Sequence, residues 1–139
     1  MSDVKLVRDV MHRGVVTCSS ETSLTHVAAL MAQAHASAVA VVNPAGELIG
    51  IVSRTDLVGA YLKPYEHRKA EDIMTTQVAT IIPDIPVQAA VQIMLDRGVH
   101  QLVILHARPA PQRPVGILTM DDIVRDMAKQ KDTTERRAE

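Results

Sequence analysis

Two short segments pair a hydroxyl with a carboxylate at the same spacing, Ser53-Arg54-Thr55-Asp56 and Thr119-Met120-Asp121-Asp122. Each follows glycine and two apolar residues, Gly50-Ile51-Val52 and Gly116-Ile117-Leu118. A hydroxyl where a strand hands over to a helix sits beside first-turn N–H groups that lack intrahelical partners, at the positive end of the helix dipole. That combination can hold a phosphate. A carboxylate one turn further on can accept hydrogen bonds from the two hydroxyls of a ribose, each worth about 1.5–3 kcal/mol because the acceptor is charged. The same spacing also spells a helix capping box, in which hydroxyl and acid satisfy backbone N–H groups and bind nothing else. One copy alone reads as a cap. Two copies at equivalent places, each behind glycine and two apolar residues, weigh toward a nucleotide in at least one of them. The two glycines either relieve packing in a strand or let a ligand approach the backbone.

Other chemistry is poorly served by the residue types present. His12, His26, His35, His67, His100 and His106 form no His-x-x-x-His pair and no cluster with Cys18, so no metal site is expected. His26 and His35 read as surface helix positions. No Gly-x-Ser-x-Gly, phosphate-loop or dinucleotide fingerprint is present, and no nucleophile–base pair can be assembled, so catalysis is not expected. Cys18 is the single cysteine, which excludes an internal disulfide. It adjoins a strand and reads as a small core residue.

The elements that position the two segments come from an internal repeat. Asp9-Val10-Met11 recurs 63 residues on as Asp72-Ile73-Met74, and Val15-x-Thr17 recurs as Val78-x-Thr80. Asp9 and Asp72 are placed to cap a short turn. Leu24, Val27, Ala28 and Met31, and at the same offset Val87, Ala90, Val91 and Met94, follow the i, i+3, i+4, i+7 stripe of an amphipathic helix. Pro86 suits the first helical position of the second. Val39 to Val42 and Leu102 to Leu105 read as buried strands. Asn43-Pro44-Ala45-Gly46 then reads as a turn into a return strand. Its counterpart is the longer segment 106–114, with prolines at 109, 111 and 114, predicted to be extended and unable to pair regularly. A short helix closes each unit, carrying Leu57, Val58 and Tyr61 in the first and Ile123, Val124 and Met127 in the second. The pattern predicts an α+β fold of two β-α-β-β-α repeats, 4–62 and 71–128, with a linker at 63–70 and a charged, fraying tail at 129–139. Neither unit can cover both faces of its own sheet, so the two should pack as one domain.

Over residues 4–128 this order resembles the cystathionine-β-synthase (CBS) domain family. The resemblance rests on the Asp-hydrophobic-Met opening, the Met-bearing helix and the Gly-hydrophobic-hydrophobic-Ser/Thr-x-x-Asp segment, each present twice and in order. It implies a tandem pair with pseudo-twofold symmetry, two clefts, and association into a flat homodimer of four repeats. It implies ligands such as AMP, ADP, ATP or S-adenosylmethionine, with no required cofactor, and regulation of another, unidentified protein. In the family each cleft takes its Ser/Thr-x-x-Asp from one repeat and its base-side wall from the other. Carried over, cleft one combines Ser53, Arg54 and Asp56 with Val78, Val99, His100 and Gln101. Cleft two combines Thr119, Asp121 and Asp122 with Val15, Ser37 and Ala38. Arg54 and His100 make cleft one the expected seat of an anionic nucleotide; Met120 and Asp121 make cleft two weaker, or suited to a less charged ligand.

Bulk properties are those of an ordinary folded soluble domain. The 139 residues are 47% hydrophobic and 22% charged with a formal net charge of -1, which gives no long-range attraction to nucleic acid or anionic membrane. With no Trp or Phe and only Tyr61 and Tyr65, there are no aromatic platforms for stacking single-stranded bases. The absence of a leader-like apolar start and of a long apolar run makes a cytoplasmic protein the expectation. Apolar helical faces left over after the repeats pack predict a homodimer through helices 23–36 and 86–97 with their shorter partners. The alternative, from another class, is a ligand-free dimerisation or protein-interaction module whose clefts stay empty.

Overall fold

Residues 38–42 and 102–105 are apolar on both strand faces, and each face meets a different neighbour. The computed structural model describes residues 4–11, 14–106 and 112–129. Along these run α1 (Val7–Val10), β1 (Thr17–Cys18), α2 (Leu24–Ala34), β2 (Ala38–Val42), β3 (Leu48–Ser53), α3 (Arg54–Ala60), α4 (Ala70–Ile73), β4 (Thr80–Ile81), α5 (Val87–Arg97), β5 (Gln101–Leu105), β6 (Pro114–Thr119) and α6 (Met120–Lys129). They build two three-stranded sheets, β1-β2-β3 and β4-β5-β6. In each, the first strand pairs parallel with the second and the second antiparallel with the third. Val39 and Val41 pack outward with Val27 and Met31 of α2, and Leu102 and Ile104 pack with Ala90 and Met94 of α5. The alternate residues Ala38, Val103 and Leu105 meet Ile51 in a third cluster that joins the sheets. Burial on both faces is why these strands read as unbroken apolar runs. Each fully buried Leu, Ile or Val there is worth about 1.5–3 kcal/mol.

The opening segments cross over. Val7 of α1 lies in the core of the second sheet, while Ala70 of α4 lies in that of the first. Backbone bonds fix the exchange: Val7 N donates to Ile85 O at 2.9 Å and Val87 N to Lys5 O at 2.9 Å, while Leu24 N donates to Arg68 O at 3.1 Å and Ala70 N to Thr22 O at 2.8 Å. Each opening segment therefore completes the other repeat. Asp9 and Asp72 do cap their short helices, accepting from the N–H groups of Leu6 (2.9 Å) and Lys69 (2.7 Å).

Several details differ from the sequence expectation. Ala28 faces solvent; the inward face of α2 is Leu24, Val27 and Met31. Pro86 is the N-cap of α5, because its extended backbone bridges Leu6, and Val87 is the first helical residue. Pro114 belongs to β6 and stands opposite Leu105 at an irregular end of the ladder, where a missing N–H is tolerated. Residues 107–111 of the predicted loop lie outside the described residues, but Gln112 O accepts from Leu48 N at 2.9 Å and Arg113 Nε donates to Ala45 O at 3.0 Å. The end of that loop is thus tied to the β2–β3 turn. Helix α6 extends through Lys129; the rest of the predicted tail, 130–139, is outside the described residues.

Candidate ligand-binding clefts

Both hydroxyl–carboxylate segments fall at strand–helix junctions. Asp56 Oδ2 accepts from Ser53 N at 2.9 Å while Asp56 N donates to Ser53 Oγ at 3.2 Å. Asp122 Oδ2 accepts from Thr119 N at 2.9 Å while Asp122 N donates to Thr119 Oγ1 at 3.1 Å. These are complete capping boxes. The residue between is engaged too, since Arg54 N donates to Ser37 O at 3.0 Å and Met120 N to His100 O at 3.1 Å. Two of the first-turn N–H groups that could hold a phosphate at each junction are therefore already satisfied. Capping does not disqualify the acids as ribose acceptors, because a carboxylate carries about four lone-pair sites and the box uses one.

Cleft two is an open cavity of about 530 Å³ between the segment after α1, the α2–β2 junction and the start of α6. All six residues assigned to it from the sequence line it: Val15, Ser37, Ala38, Thr119, Asp121 and Asp122. The structure adds Ile117, His35 and Arg125. Asp122 is buried, 4% exposed, and its Oδ1 accepts from Arg125 Nη2 at 2.8 Å. The signal for Arg125 was its place three residues beyond Asp122 on one helix face. His35 was missed as a wall residue; it ends α2 in the left-handed conformation (φ 52°), where the other repeat has Gly98 (φ 64°).

Four of the residues assigned to cleft one come together in one cavity. Ser53, Arg54, His100 and Gln101 line a smaller cavity of about 240 Å³, where the first turns of α3 and α6 face each other. Val78 instead packs in the cluster between the sheets, and Val99 against the core of the second sheet. Asp56 caps α3, and Gly59 stands where the 66-residue offset places Arg125 in the other repeat. Of these two cavities, the larger is cleft two, which has a cation held on its acid. Gly50, weighed as a point of ligand approach, has a packing role. A Cβ there would stand 2.7 Å from Met74 Sδ and 3.1 Å from Thr75 O, so it makes room for the exchanged opening of the other repeat.

The CBS domain family profile matches residues 7–63 and 70–129. The chain belongs to the CBS domain family. It is 33% identical over 121 residues to the uncharacterized protein MK0525 of Methanopyrus kandleri, covering 85% of this chain and 60% of that one. It is 31% identical over 127 residues to the L-aspartate semialdehyde sulfurtransferase of Methanosarcina acetivorans, covering 91% of this chain and 24% of that one. The chain thus spans between about a quarter and three fifths of these relatives. The CBS domain pair of protein MJ0100, solved with 5′-methylthioadenosine and S-adenosyl-L-methionine, superposes with a TM-score of 0.83 at 26% identity, covering 92% of this chain and 99% of that one. No helix among the described residues is long and apolar enough to cross a membrane, and those residues hold no group of three or more His, Cys, Asp or Glu fit for a metal.

Proposed function

We propose that this CBS pair is a non-catalytic sensor that holds an adenosine-bearing ligand in cleft two and reports its occupancy to another protein. The observation that carries the reading is the 530 Å³ cavity walled by both repeats, with Thr119 and Asp122 on one side and Val15 and Ser37 on the other. The MJ0100 pair, solved with two adenosine derivatives, supports the ligand class. Among such ligands, cleft two favours those with little negative charge. Among the described residues, Asp121 and Asp122 face the cavity against one cation, Arg125, which is already paired. AMP, ADP and ATP are therefore the weaker candidates, and S-adenosyl or methylthioadenosine compounds the stronger.

The proposed homodimer forms through the short helices. Val58, Tyr61 and Leu62 at the end of α3, and Val124 and Met127 on α6, are exposed, whereas the outward side of α2 carries Thr25, His26 and Gln33. Val58 and Tyr61 become Val124 and Met127 at the 66-residue offset, so the same two positions are exposed in both repeats. The ligand-free dimerisation reading draws its support from this face and from the complete capping boxes.

A thermal-shift panel with adenosine, AMP, ADP, ATP, S-adenosylmethionine, methylthioadenosine and guanine nucleotides separates the two. A ligand at 100 times its Kd adds about 2.7 kcal/mol, roughly 10 °C for a chain of this size. No shift with any adenosine compound at millimolar concentration would leave the dimerisation reading standing.

A further inference from the structure

A second cavity, of about 430 Å³, lies in the groove between α1 and α6. It is walled by Lys5, Arg125 and Lys129 and by Asp9, Asp122 and Asp126. Asp122 and Arg125 also line cleft two, so this pair is the shared wall of the two spaces. We propose that the groove is the second half of the ligand site and receives a zwitterionic amino-acid tail carried on the 5′ side of the adenosine. This rests on the adenosine reading of cleft two.

The charge pattern selects that tail. Among the described residues, three cations and three carboxylates balance, so a polyphosphate entering the groove meets repulsion on one side for each attraction on the other. An amino-acid tail brings one ammonium and one carboxylate and can answer both signs at once. The groove's ion pair is exchangeable: Lys5 and Asp126, 2.9 Å apart, have side chains 41% and 24% exposed. Lys129 is exposed and makes no ion pair among the described residues. Arg125, 55% exposed, can shift on its flexible stem while Asp122 keeps the Thr119 N–H. The first half of the chain does not reproduce this groove. At the repeat offsets Gly59 replaces Arg125 and buried Ala60 replaces Asp126. One tail-bearing ligand per chain follows.

Calorimetry on the full chain tests this with methylthioadenosine, S-adenosylhomocysteine and AMP. Methylthioadenosine ends at the 5′ sulfur, and S-adenosylhomocysteine adds the amino-acid tail without a sulfonium charge. The tailed compound should bind about ten-fold tighter, as expected for two or three partly exposed charged contacts. Lys129→Ala should shrink that advantage and Lys5→Ala/Lys129→Ala should reduce it to within two-fold, with methylthioadenosine affinity unchanged. Lys129→Ala breaks no ion pair, so it keeps the test intact if Lys5→Ala fails to fold. Equal affinities in the unmodified chain, or equal losses for tailed and untailed compounds, overturn the tail site. An AMP advantage that disappears with the same substitutions makes the groove a general anion site and also overturns it. Binding of none of the three at millimolar concentration defeats the adenosine reading itself.

Discussion

Removing the Asp122 carboxylate should cost more than removing Asp56, although both write the same motif. Asp122 Oδ2 accepts from Thr119 N at 2.9 Å and its Oδ1 from Arg125 Nη2 at 2.8 Å, with the side chain buried. Asp56 makes the equivalent cap at 2.9 Å but is half-buried and has Gly59 where Arg125 would be. Loss of a cap costs about 1 kcal/mol, which is the expectation for Asp56→Ala. Asp122→Ala loses the same cap at an acid that is itself buried, so water replaces the lost acceptor less readily, at about 1–2 kcal/mol more. The Arg125 contact adds at most about 1 kcal/mol, because the guanidinium end is more than half exposed. The sum is about 2–4 kcal/mol. Urea unfolding followed by far-UV circular dichroism is the assay, since the chain has no Trp. Equal midpoint shifts for the two variants at unchanged slope would refute the assignment of different burial and partnership to the two acids. In methylthioadenosine titrations at a temperature where both variants are folded, Asp122→Ala should lose about ten- to a hundred-fold in affinity and Asp56→Ala little.

Four further outcomes are expected. His35→Gly should raise stability by about 0.5–1 kcal/mol in thermal melts, because a left-handed cap suits glycine better than histidine; a loss of stability would contradict that. Gly50→Ala should cost about 1–3 kcal/mol, since Met74 and the Thr75 carbonyl must give way, and a neutral result would mean the contact relaxes freely. Burial pushes the Cys18 thiol above 9.0, against an opposing Thr22 hydrogen bond; the folded state then holds a proton that the unfolded state gives up, so stability should fall as pH rises from about 9, a slope absent in Cys18→Val. Val58→Glu/Met127→Glu should convert a dimer to a monomer in light scattering at tens of micromolar, and a monomer mass for the unmodified chain would remove the dimer.

Much of the fold was legible because the signals were periodic and came twice. Leu24, Val27 and Met31 against Ala90 and Met94, and Val39 to Val41 against Leu102 to Ile104, announce the same unit in two copies. The exchange of opening segments was not legible: Asp-Val-Met and Asp-Ile-Met are alike, so nothing in either says which sheet it will complete. The six residues assigned to cleft two line one cavity because the family pattern couples positions far apart in sequence. Arg125 was not legible because it lies outside the Thr-x-x-Asp motif it supports. Which face of a short helix is exposed also eluded the pattern: Val58, Tyr61, Val124 and Met127 look like core residues, and only the packed structure shows them on the outside.

Helix α6 joins cleft two to the exposed apolar face. One side of it carries Asp122 and Arg125 into cleft two, and Asp126 and Lys129 into the groove against α1. Its other side exposes Val124 and Met127. A ligand that engaged Asp122 and Arg125 would act on the same ten-residue element that carries the exposed face. A helix this short moves as a unit, so a contact that shifts or steadies its first turn is transmitted to positions 124 and 127 without a relay of intervening side chains. Helix α3 cannot respond alike, because Gly59 denies Asp56 the arginine that reaches from Asp122 along α6. Occupancy of cleft two should therefore change the exposed face asymmetrically, at α6 and not at α3. Hydrogen exchange with and without methylthioadenosine reads this directly: slowed exchange in 120–129 with 54–60 unchanged is the expected result, and equal protection of both helices would sever the cleft from the face.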